Sequence, residues 1–313
     1  MKPVIIIPIV VGGLLLTAGA VALGIGIAKQ GTKQKTETHE YVVDEFTNVN
    51  ISVDITDVTF YATTDGTRKV VVEETEKLYH TVAVSEGTLD VQFTDARKWS
   101  EKILSTVDLK VNVYMPSGAY NELNVKLSTG DTVIPGDFTF NNISVTASTG
   151  KTTCSASTIE NANFVASTGN VKLSSMSAKN INIKRSTGNI EMENVNVLDK
   201  ITSNLETGSS SYKDVRSANF EHKSTTGKVT FTNTIVANHL NVKTSTGDVR
   251  FNDSDALTAT VVTTTGDVKG TILTAHHFIV ETDTGKKNYP KYTEGGLFEI
   301  TTDTGDIDIS IKA

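Results

Sequence analysis

Ser245-Thr246-Gly247-Asp248-Val249 is the stretch that decides the fold, because close variants of it return through most of the chain. A Thr-Gly pair preceded by Ser, Thr, Glu or Asp occurs ten times, and the steps between its glycines are 19 or 20 residues. Such regular spacing predicts a stack of near-identical coils, each contacting only its neighbours. We call the repeated residues the tag glycines: Gly130, Gly150, Gly169, Gly188, Gly208, Gly227, Gly247, Gly266, Gly285 and Gly305.

Apolar and polar residues alternate on both sides of the tag glycines. Positions seven and five before the glycine are mostly apolar, as at Leu240 and Val242, and positions two and four after it often are, as at Val249 and Phe251. Each coil therefore has one strand before the glycine and another after it, joined at a corner where glycine supplies a positive φ. The sequence predicts an all-β fold, a β-solenoid (parallel β-helix-like) of 19–20-residue coils. At one strand spacing per coil it is about 43 Å long.

The chain divides into four segments. Residues 1–28 are a transmembrane anchor or signal segment, and residues 29–40 are a polar tether. Residues 41–118 alternate in polarity without the tag and are expected to form a β-rich N-terminal cap, with turns at Asp65-Gly66 and Glu86-Gly87 that predict hairpins. A cap is expected because the open end of a solenoid offers unpaired strand edges. Residues 119–313 contain the repeats.

Residues 4–28 carry no charge and are long enough for about 37 Å of helix, which exceeds a hydrocarbon core of roughly 30 Å. They predict an N-terminal transmembrane helix. A cleaved signal peptide is the alternative, because Ala18-Gly19-Ala20 resembles a cleavage site. Lys29, Lys33 and Lys35 follow the span and by the positive-inside rule favour a cytoplasmic repeat domain. A single span ahead of a large Thr-, Asn- and Ser-rich β domain favours export, and we predict an extracytoplasmic solenoid at the cell membrane.

Composition and motifs exclude several classes of function. A net charge of -7 argues against a nucleic-acid partner, and a single cysteine excludes an intramolecular disulfide. The sequence has no nucleophile elbow, P-loop, zinc-ligand pair or dinucleotide fingerprint, so we predict no catalytic residue, no metal site and no cofactor. Cys154 and His222 fall in inward rows and are predicted to be core residues.

Aspartates beside the tag glycines form the one candidate binding surface. Such acids could hold Ca²⁺ or act as acid and base on a glycan. The position after the glycine carries Lys151, Lys228 and Lys286 in other coils, so no acidic groove is sustained and a solvated turn face is favoured. The candidate residues are Asp248, Asp267, Asp283, Asp303 and Asp306.

Threonine directly precedes every tag glycine, and the last four coils also carry threonine three positions before it. Stacked Thr-x-Thr on a β-solenoid resembles an ice-binding face. Both threonine positions share the inward parity of the apolar rows, whereas an ice-binding face must point outward. We therefore predict internal hydroxyl ladders that bond along the stack.

The order of these features resembles one bacterial family. The lead-in motifs Glu86-Gly87-Thr88-Leu89, Arg97-Lys98-Trp99 and Val113-Tyr114-Met115-Pro116, followed by Ser-Thr-Gly-Asp-Val repeats, are similar to the β-strand-repeat proteins grouped as candidate adhesins, domain of unknown function 4097. The similarity spans about residues 41 to 313. It implies a right-handed β-solenoid at the bacterial envelope, and some similar proteins accompany envelope-stress sensing modules. The resemblance supplies no catalytic residues.

These observations predict a non-enzymatic, membrane-anchored extracytoplasmic β-solenoid that acts in adhesion or envelope-stress signalling. Its partner would be an envelope protein or a glycan on one face of the rod. A glycan-active β-helix enzyme is one alternative, although the near-constant coil length leaves little room for the loops that surround a catalytic cleft. A cytoplasmic-facing scaffold is the other. The ligand and the oligomeric state stay open.

Overall fold

The computed structural model describes residues 36–98, 107, 109–292 and 294–312. These residues form an all-β β-solenoid without helices, as the repeat spacing predicts. The predicted membrane span at residues 4–28 lies outside this range. Within the range, no helix is long and apolar enough to cross a membrane.

The strands fall into three groups along the described residues. The N-terminal strands are β1 (Glu37–Val42), β2 (Asn48–Thr63), β3 (Lys69–Glu74), β4 (Leu78–Ser85), β5 (Thr88–Asp95) and β6 (Leu109–Pro116). The central coils contain β7 (Gly118–Thr129), β8 (Thr132–Ile134), β9 (Phe138–Thr149), β10 (Thr152–Cys154), β11 (Ser157–Thr168), β12 (Val171–Thr187), β13 (Ile190–Thr207), β14 (Ser210–Thr226), β15 (Val229–Thr232), β16 (Ile235–Thr246) and β17 (Val249–Thr265). The C-terminal strands are β18 (Val268–Ile272), β19 (His277–Thr284), β20 (Lys287–Asn288), β21 (Leu297–Thr304) and β22 (Ile307–Ile311).

The strand β2 is the first coil of the solenoid although it carries no tag glycine. It pairs in parallel with β7 and then with β8, so that Ile55 lies opposite Thr129. Thr56 occupies the corner, since a Cβ added to Gly130 would lie 2.1 Å from the Thr56 carbonyl oxygen. The solenoid thus begins before residue 119, within residues 41–118, which the polarity pattern assigns to a cap.

Mixed pairing extends the sheet beyond β2 at the N-terminal end. On the side of β2 away from β7, β5 pairs with its first half and β6 with its second half, both in parallel. The strands β4, β3 and β1 then add antiparallel pairs. Glu86-Gly87 forms the predicted hairpin between β4 and β5, with φ values of 51° and 71°.

Two expectations for this N-terminal region are wrong. Asp65-Gly66 connects β2 to β3, but β6 lies between those strands and pairs with both, so the turn is not a hairpin between neighbours. The stretch 29–40, expected to be a polar tether, contributes its residues from Glu37 onward to β1, because these pair with β3. Neither pairing can be predicted from the local sequence, because the partner strands come from distant parts of the chain.

The tag glycines form a backbone ladder along one corner of the solenoid. Their φ values lie between 119° and 157°, a region that other residues rarely adopt. A Cβ on any of them would lie 1.8 to 2.2 Å from a carbonyl oxygen of the adjoining coil. The glycine N–H donates to a threonine carbonyl of the next coil at 2.8 to 3.0 Å, as from Gly208 to Thr226. Glycine is therefore required at this corner for two reasons: it can adopt the positive φ, and it has no side chain to clash with the adjoining coil.

A second corner lies six residues after the tag glycine in the central coils. There the chain turns with polar residues in the left-handed region, at φ values of 48° to 56°. Asparagine and aspartate tolerate this conformation better than most residues. The residues at this corner are Ser175, Asn194, Asp214, Asn233 and Asp253.

The last two coils stack in the reverse of their chain order. The strand β21 pairs with β17 on one side and β19 on the other, and β22 lies likewise between β18 and β20. The coil of Gly305 therefore lies between those of Gly266 and Gly285, and the Gly266 N–H donates to Thr304. Because the coils are of nearly equal length, the spacing of the tag glycines does not reveal this exchange.

The interior of the central coils combines stacked aromatic rings with a small polar cluster. The ring of Phe231 stacks between those of Tyr212 and Phe251, with centroids 5.2 and 5.4 Å away. His222 is fully buried, as predicted, and its Nδ1 lies 2.9 Å from the Tyr212 hydroxyl. That hydroxyl also bonds Ser203 Oγ at 2.7 Å. Burial lowers the pKa of His222 to about 3, so the imidazole is neutral across the physiological range.

Acid should destabilise the solenoid through His222. In the unfolded chain this histidine protonates near pH 6.5, whereas the folded protein resists protonation until about pH 3. Between these values the unfolded state binds the extra proton, so the free energy of unfolding falls as the pH is lowered, by up to about 1.4 kcal/mol per pH unit.

Urea unfolding at pH 7 and pH 5 measures this dependence. The loss between the two pH values should shrink in His222→Gln and persist in the control His239→Gln, which changes an exposed histidine. An unchanged loss in His222→Gln would show that other groups govern the acid response.

Candidate functional site

The predicted aspartate surface lies at the tag corner, where three of its carboxylates bind the backbone of the adjoining coil. Asp248 Oδ1 accepts the N–H of Asp267 at 3.1 Å, and Asp267 Oδ1 accepts that of Asp306 at 2.8 Å. Asp306 Oδ1 in turn accepts the N–H of Lys286 at 2.9 Å. This chain of contacts follows the reversed order of the last coils.

The same side-chain-to-backbone contact recurs at the opposite end of the solenoid. Asp57 accepts the N–H of Asp131 at 2.8 Å, and Asp131 accepts that of Lys151 at 2.7 Å. In the middle, Asn170 accepts the N–H of Asn189 at 2.8 Å. The preference for Asp and Asn after the glycine therefore has a structural cause that needs no ligand.

Cations of the chain neutralise part of the aspartate surface. Lys269 Nζ lies 2.7 Å from Asp267 Oδ2 and 3.8 Å from Asp306 Oδ2. The hydrogen bond from Lys269 lowers the pKa of Asp267. Among the described residues, no three His, Cys, Asp or Glu side chains are grouped so as to hold a metal ion.

Asp283 and Asp303 are exposed and lie on neighbouring strands, because β19 and β21 pair with Thr282 opposite Thr302. Their proximity is what a pair of acids for glycan cleavage would need. They sit on an open outer row, however, and line neither of the two depressions described below.

The two threonine rows have opposite orientations. Threonines three positions before the glycine point inward as predicted. Thr263 Oγ1 donates to the Gly247 carbonyl at 3.2 Å and Thr302 Oγ1 to that of Gly266 at 3.0 Å, but the buried Thr244 hydroxyl has no partner. The threonine directly before the glycine is exposed in every coil, from Thr129 onward, so its inward assignment is wrong. The corner interrupts the alternation of the preceding strand and turns this residue outward.

Cys154 is a core residue, as its row predicts. It is fully buried, and burial raises the pKa of its thiol to about 12. A thiol in this state is not a nucleophile at neutral pH.

Side-chain amides cover the outer surface of the long strands in the N-terminal half of the solenoid. They occupy the positions eight and six before the tag glycines, together with the equivalent positions of β2. Sequence reasoning centred on acids and histidines missed them, although asparagine recurs there at 19-residue steps. We call this surface the asparagine face: Asn48, Asn50, Asn124, Asn142, Asn161, Asn163, Asn180 and Asn182, with Asp90 and Glu122 at its N-terminal end.

One row of amides forms a hydrogen-bonded ladder along the solenoid axis. Asn180 Nδ2 donates to Asn161 Oδ1 at 3.2 Å, and Asn161 Nδ2 donates to Asn142 Oδ1 at 3.0 Å. Asn142 Nδ2 then donates to the Glu122 carboxylate at 2.9 Å. All the amides in this row therefore point the same way, toward a terminal acceptor that carries charge.

The neighbouring row has the same kind of contact in two shorter runs, because Ser144 occupies the position between Asn124 and Asn163. Asn124 Nδ2 donates to Asn50 Oδ1 at 3.2 Å, and Asn50 Nδ2 donates to Asp90 Oδ1 at 2.7 Å. Further along, Asn182 Nδ2 donates to Asn163 Oδ1 at 2.7 Å. Two parallel ladders thus hold the amides in fixed orientations on a flat strand surface.

A shallow groove crosses the N-terminal end of the asparagine face. Its polar lining comprises Asn48, Asn50, Thr88, Glu122, Asn124, Lys126 and Ser144. A second depression lies at the opposite end of the solenoid and is lined by Ala275, Lys291, Tyr292, Glu294 and Gly295. Only the shallow groove adjoins the ladders of asparagine side chains.

The ladders leave hydrogen-bonding capacity for a ligand. A carboxamide has two N–H donors and two acceptor sites on its oxygen, and the ladder uses one of each. Amides within a ladder can therefore still offer a donor to solvent, and they can also offer an acceptor, except Asn142, whose oxygen accepts the Asn161 backbone N–H as well. The face offers an array of neutral hydrogen-bonding groups, and Lys126 and Glu122 add charge at the groove.

These features define a β-solenoid that presents a hydrogen-bonding outer face in its N-terminal half. A family model described as Toastrack DUF4097 matches residues 46–203 and again residues 196–313. The chain therefore belongs to the Toastrack DUF4097 family, in agreement with the resemblance seen in its motifs.

Several solved structures are similar to this chain. A candidate adhesin from Parabacteroides merdae is 14% identical, with 90% of this chain and 98% of that chain covered and a TM-score of 0.47. A candidate lipid-binding protein from Parabacteroides distasonis is 16% identical, with coverages of 77% and 95% and a TM-score of 0.44. A candidate adhesin from Bacteroides fragilis is 13% identical, with coverages of 90% and 100% and a TM-score of 0.43. No functionally curated protein matches the sequence.

Proposed function

We propose that this protein is a non-enzymatic contact protein of the bacterial cell envelope, and that the asparagine face binds a glycan. Residues 4–28 anchor it in the cell membrane, with the solenoid on the outer side. The observation that carries this proposal is the pair of axial amide ladders, which hold neutral donors and acceptors in register over several coils.

A polysaccharide suits this surface because its chemistry repeats along one direction. Sugar hydroxyl and acetamido groups both donate and accept hydrogen bonds, as the free positions of the asparagine amides do. The amides are already fixed by the ladders, so binding costs little side-chain entropy. Away from Asp90, Glu122 and Lys126 at its N-terminal end, the array is neutral and does not select an ionic partner.

A glycan-active enzyme is the competing function, and Asp283 with Asp303 would be its acids. The constant coil length and the open surface around these residues favour contact over catalysis. The double substitution Asp283→Asn/Asp303→Asn separates the two classes. Loss of polysaccharide turnover would establish the enzyme, whereas no turnover by either form together with unchanged binding supports the contact protein.

Binding to the cell wall tests the asparagine face. The full chain, solubilised in a non-ionic detergent, is sedimented with purified insoluble cell-wall glycan at constant ionic strength. Asn124→Ala/Asn142→Ala removes one amide from each row and should weaken binding at least tenfold. Asn196→Ala changes an exposed asparagine outside the face and serves as the matched control. Equal sedimentation of the double variant and the control would refute the assignment of this face.

A further inference from the structure

Arg185 is a buried cation without a carboxylate partner. Its side chain is 2% exposed and lies inside the solenoid. Its Nη2 donates to Thr152 Oγ1 at 3.1 Å, while its Nε and Nη1 atoms have no hydrogen-bond partner. None of the carboxylates in the described residues forms an ion pair with it. Burial lowers the pKa of Arg185 to about 10, which leaves the guanidinium charged at neutral pH.

Small residues allow the Arg185 side chain to run along the solenoid axis. Arg185 lies three positions before Gly188, and the same row carries Ala166 and Ala147 in the two preceding coils. Thr152, which binds the guanidinium, follows the corner of the coil that contains Ala147. The side chain therefore points toward the earlier coils, and its Nη2 contacts Thr152 of the coil two before its own.

Another unpaired hydroxyl lies beside Thr152. Thr132 is opposite Thr152 in the parallel pairing of β8 with β10, and both side chains are buried. The Thr132 hydroxyl has no hydrogen-bond partner. This part of the interior thus combines a positive charge and free N–H donors with an unpaired hydroxyl one coil beyond Thr152.

Burial of this cation has a large energetic cost unless the charge is compensated. An unpaired ion in a protein interior costs several kcal/mol, and buried polar groups are almost always hydrogen-bonded. A water molecule would satisfy donors but leave the charge uncompensated. We propose that chloride binds inside the solenoid between Arg185 and Thr132, as a structural anion that neutralises the buried guanidinium.

Chloride-dependent stability tests this site. The full chain in non-ionic detergent is unfolded with urea in mixtures of sodium chloride and sodium gluconate at one total ionic strength, so that screening stays constant. Once chloride exceeds its dissociation constant, each tenfold rise should lower the unfolding equilibrium constant up to tenfold. Arg185→Met, which removes the charge, and Thr132→Val, which removes the hydroxyl, should both reduce this dependence.

A matched variant separates anion binding from the general effect of a buried substitution. Thr158 is another buried threonine whose hydroxyl has no partner, but the strand pairing places it opposite Phe140, away from Thr132. Thr158→Val should keep the chloride dependence. If Arg185→Met does not fold, the comparison of Thr132→Val with Thr158→Val decides the question. Stability independent of chloride in the native chain, or equal chloride dependence in Thr132→Val and Thr158→Val, would overturn the site.

Discussion

Gly208→Ala is expected to lower the free energy of unfolding by about 3–5 kcal/mol. The φ of Gly208 is 138°, which strains any residue with a side chain, and the new Cβ would lie 1.8 Å from the Gly188 carbonyl oxygen. Relief requires the coils of Gly188 and Gly208 to separate, which breaks backbone bonds that hold this corner, including that from Gly188 to Thr207. Urea unfolding monitored by circular dichroism measures the loss.

Gly136→Ala is the matched control for this prediction. Gly136 also lies at a corner, but its φ is outside the left-handed region and an added Cβ would meet its nearest atom at 3.5 Å. Alanine restricts the unfolded chain more than glycine does, so stability should change by less than about 1 kcal/mol. Similar losses in Gly136→Ala and Gly208→Ala would mean that the glycine ladder has no special role.

Phe231→Ala should destabilise the protein by about 3–5 kcal/mol. The Phe231 ring is fully buried and stacks between Tyr212 and Phe251, so its removal leaves a cavity shared by three coils. The strands pair rigidly along the axis and cannot close around this space. Phe231→Leu retains much of the volume and should lose less than half as much stability. A loss below about 1 kcal/mol in Phe231→Ala would show that the aromatic stack contributes little.

The coil could be predicted from the sequence because each of its parts has a local cause. The tag glycine is required by φ and by contact with the next coil, and the inward rows follow from strand alternation. Features that depend on pairing between distant segments were not predictable. Thr56 takes the place of a tag glycine in β2, and the coil of Gly305 inserts ahead of that of Gly285. The first leaves β2 without the tag that marks a coil, and the second leaves the residue pattern of both coils unchanged.

The functional surface was less predictable than the fold. The sequence predicts a candidate binding surface at Asp248, Asp267 and Asp306 because they are acidic. In the structure, their carboxylates accept hydrogen bonds from backbone N–H groups of adjoining coils. The asparagine face consists mainly of neutral amides, which are neither typical catalytic groups nor typical metal ligands, so it was not predicted. Its signal is periodic: Asn142, Asn161 and Asn180 recur at the coil spacing and bond to one another.

Release of the solenoid by trypsin from intact cells tests most directly whether this protein makes contacts outside the membrane. Lys29, Lys33 and Lys35 follow the predicted span and offer cleavage sites between the anchor and the solenoid. An antibody to the C-terminus should find the solenoid in the medium while a cytoplasmic marker stays inside the cells. Retention of the C-terminus with the cells until they are lysed would place the asparagine face in the cytoplasm and contradict a role at the cell wall.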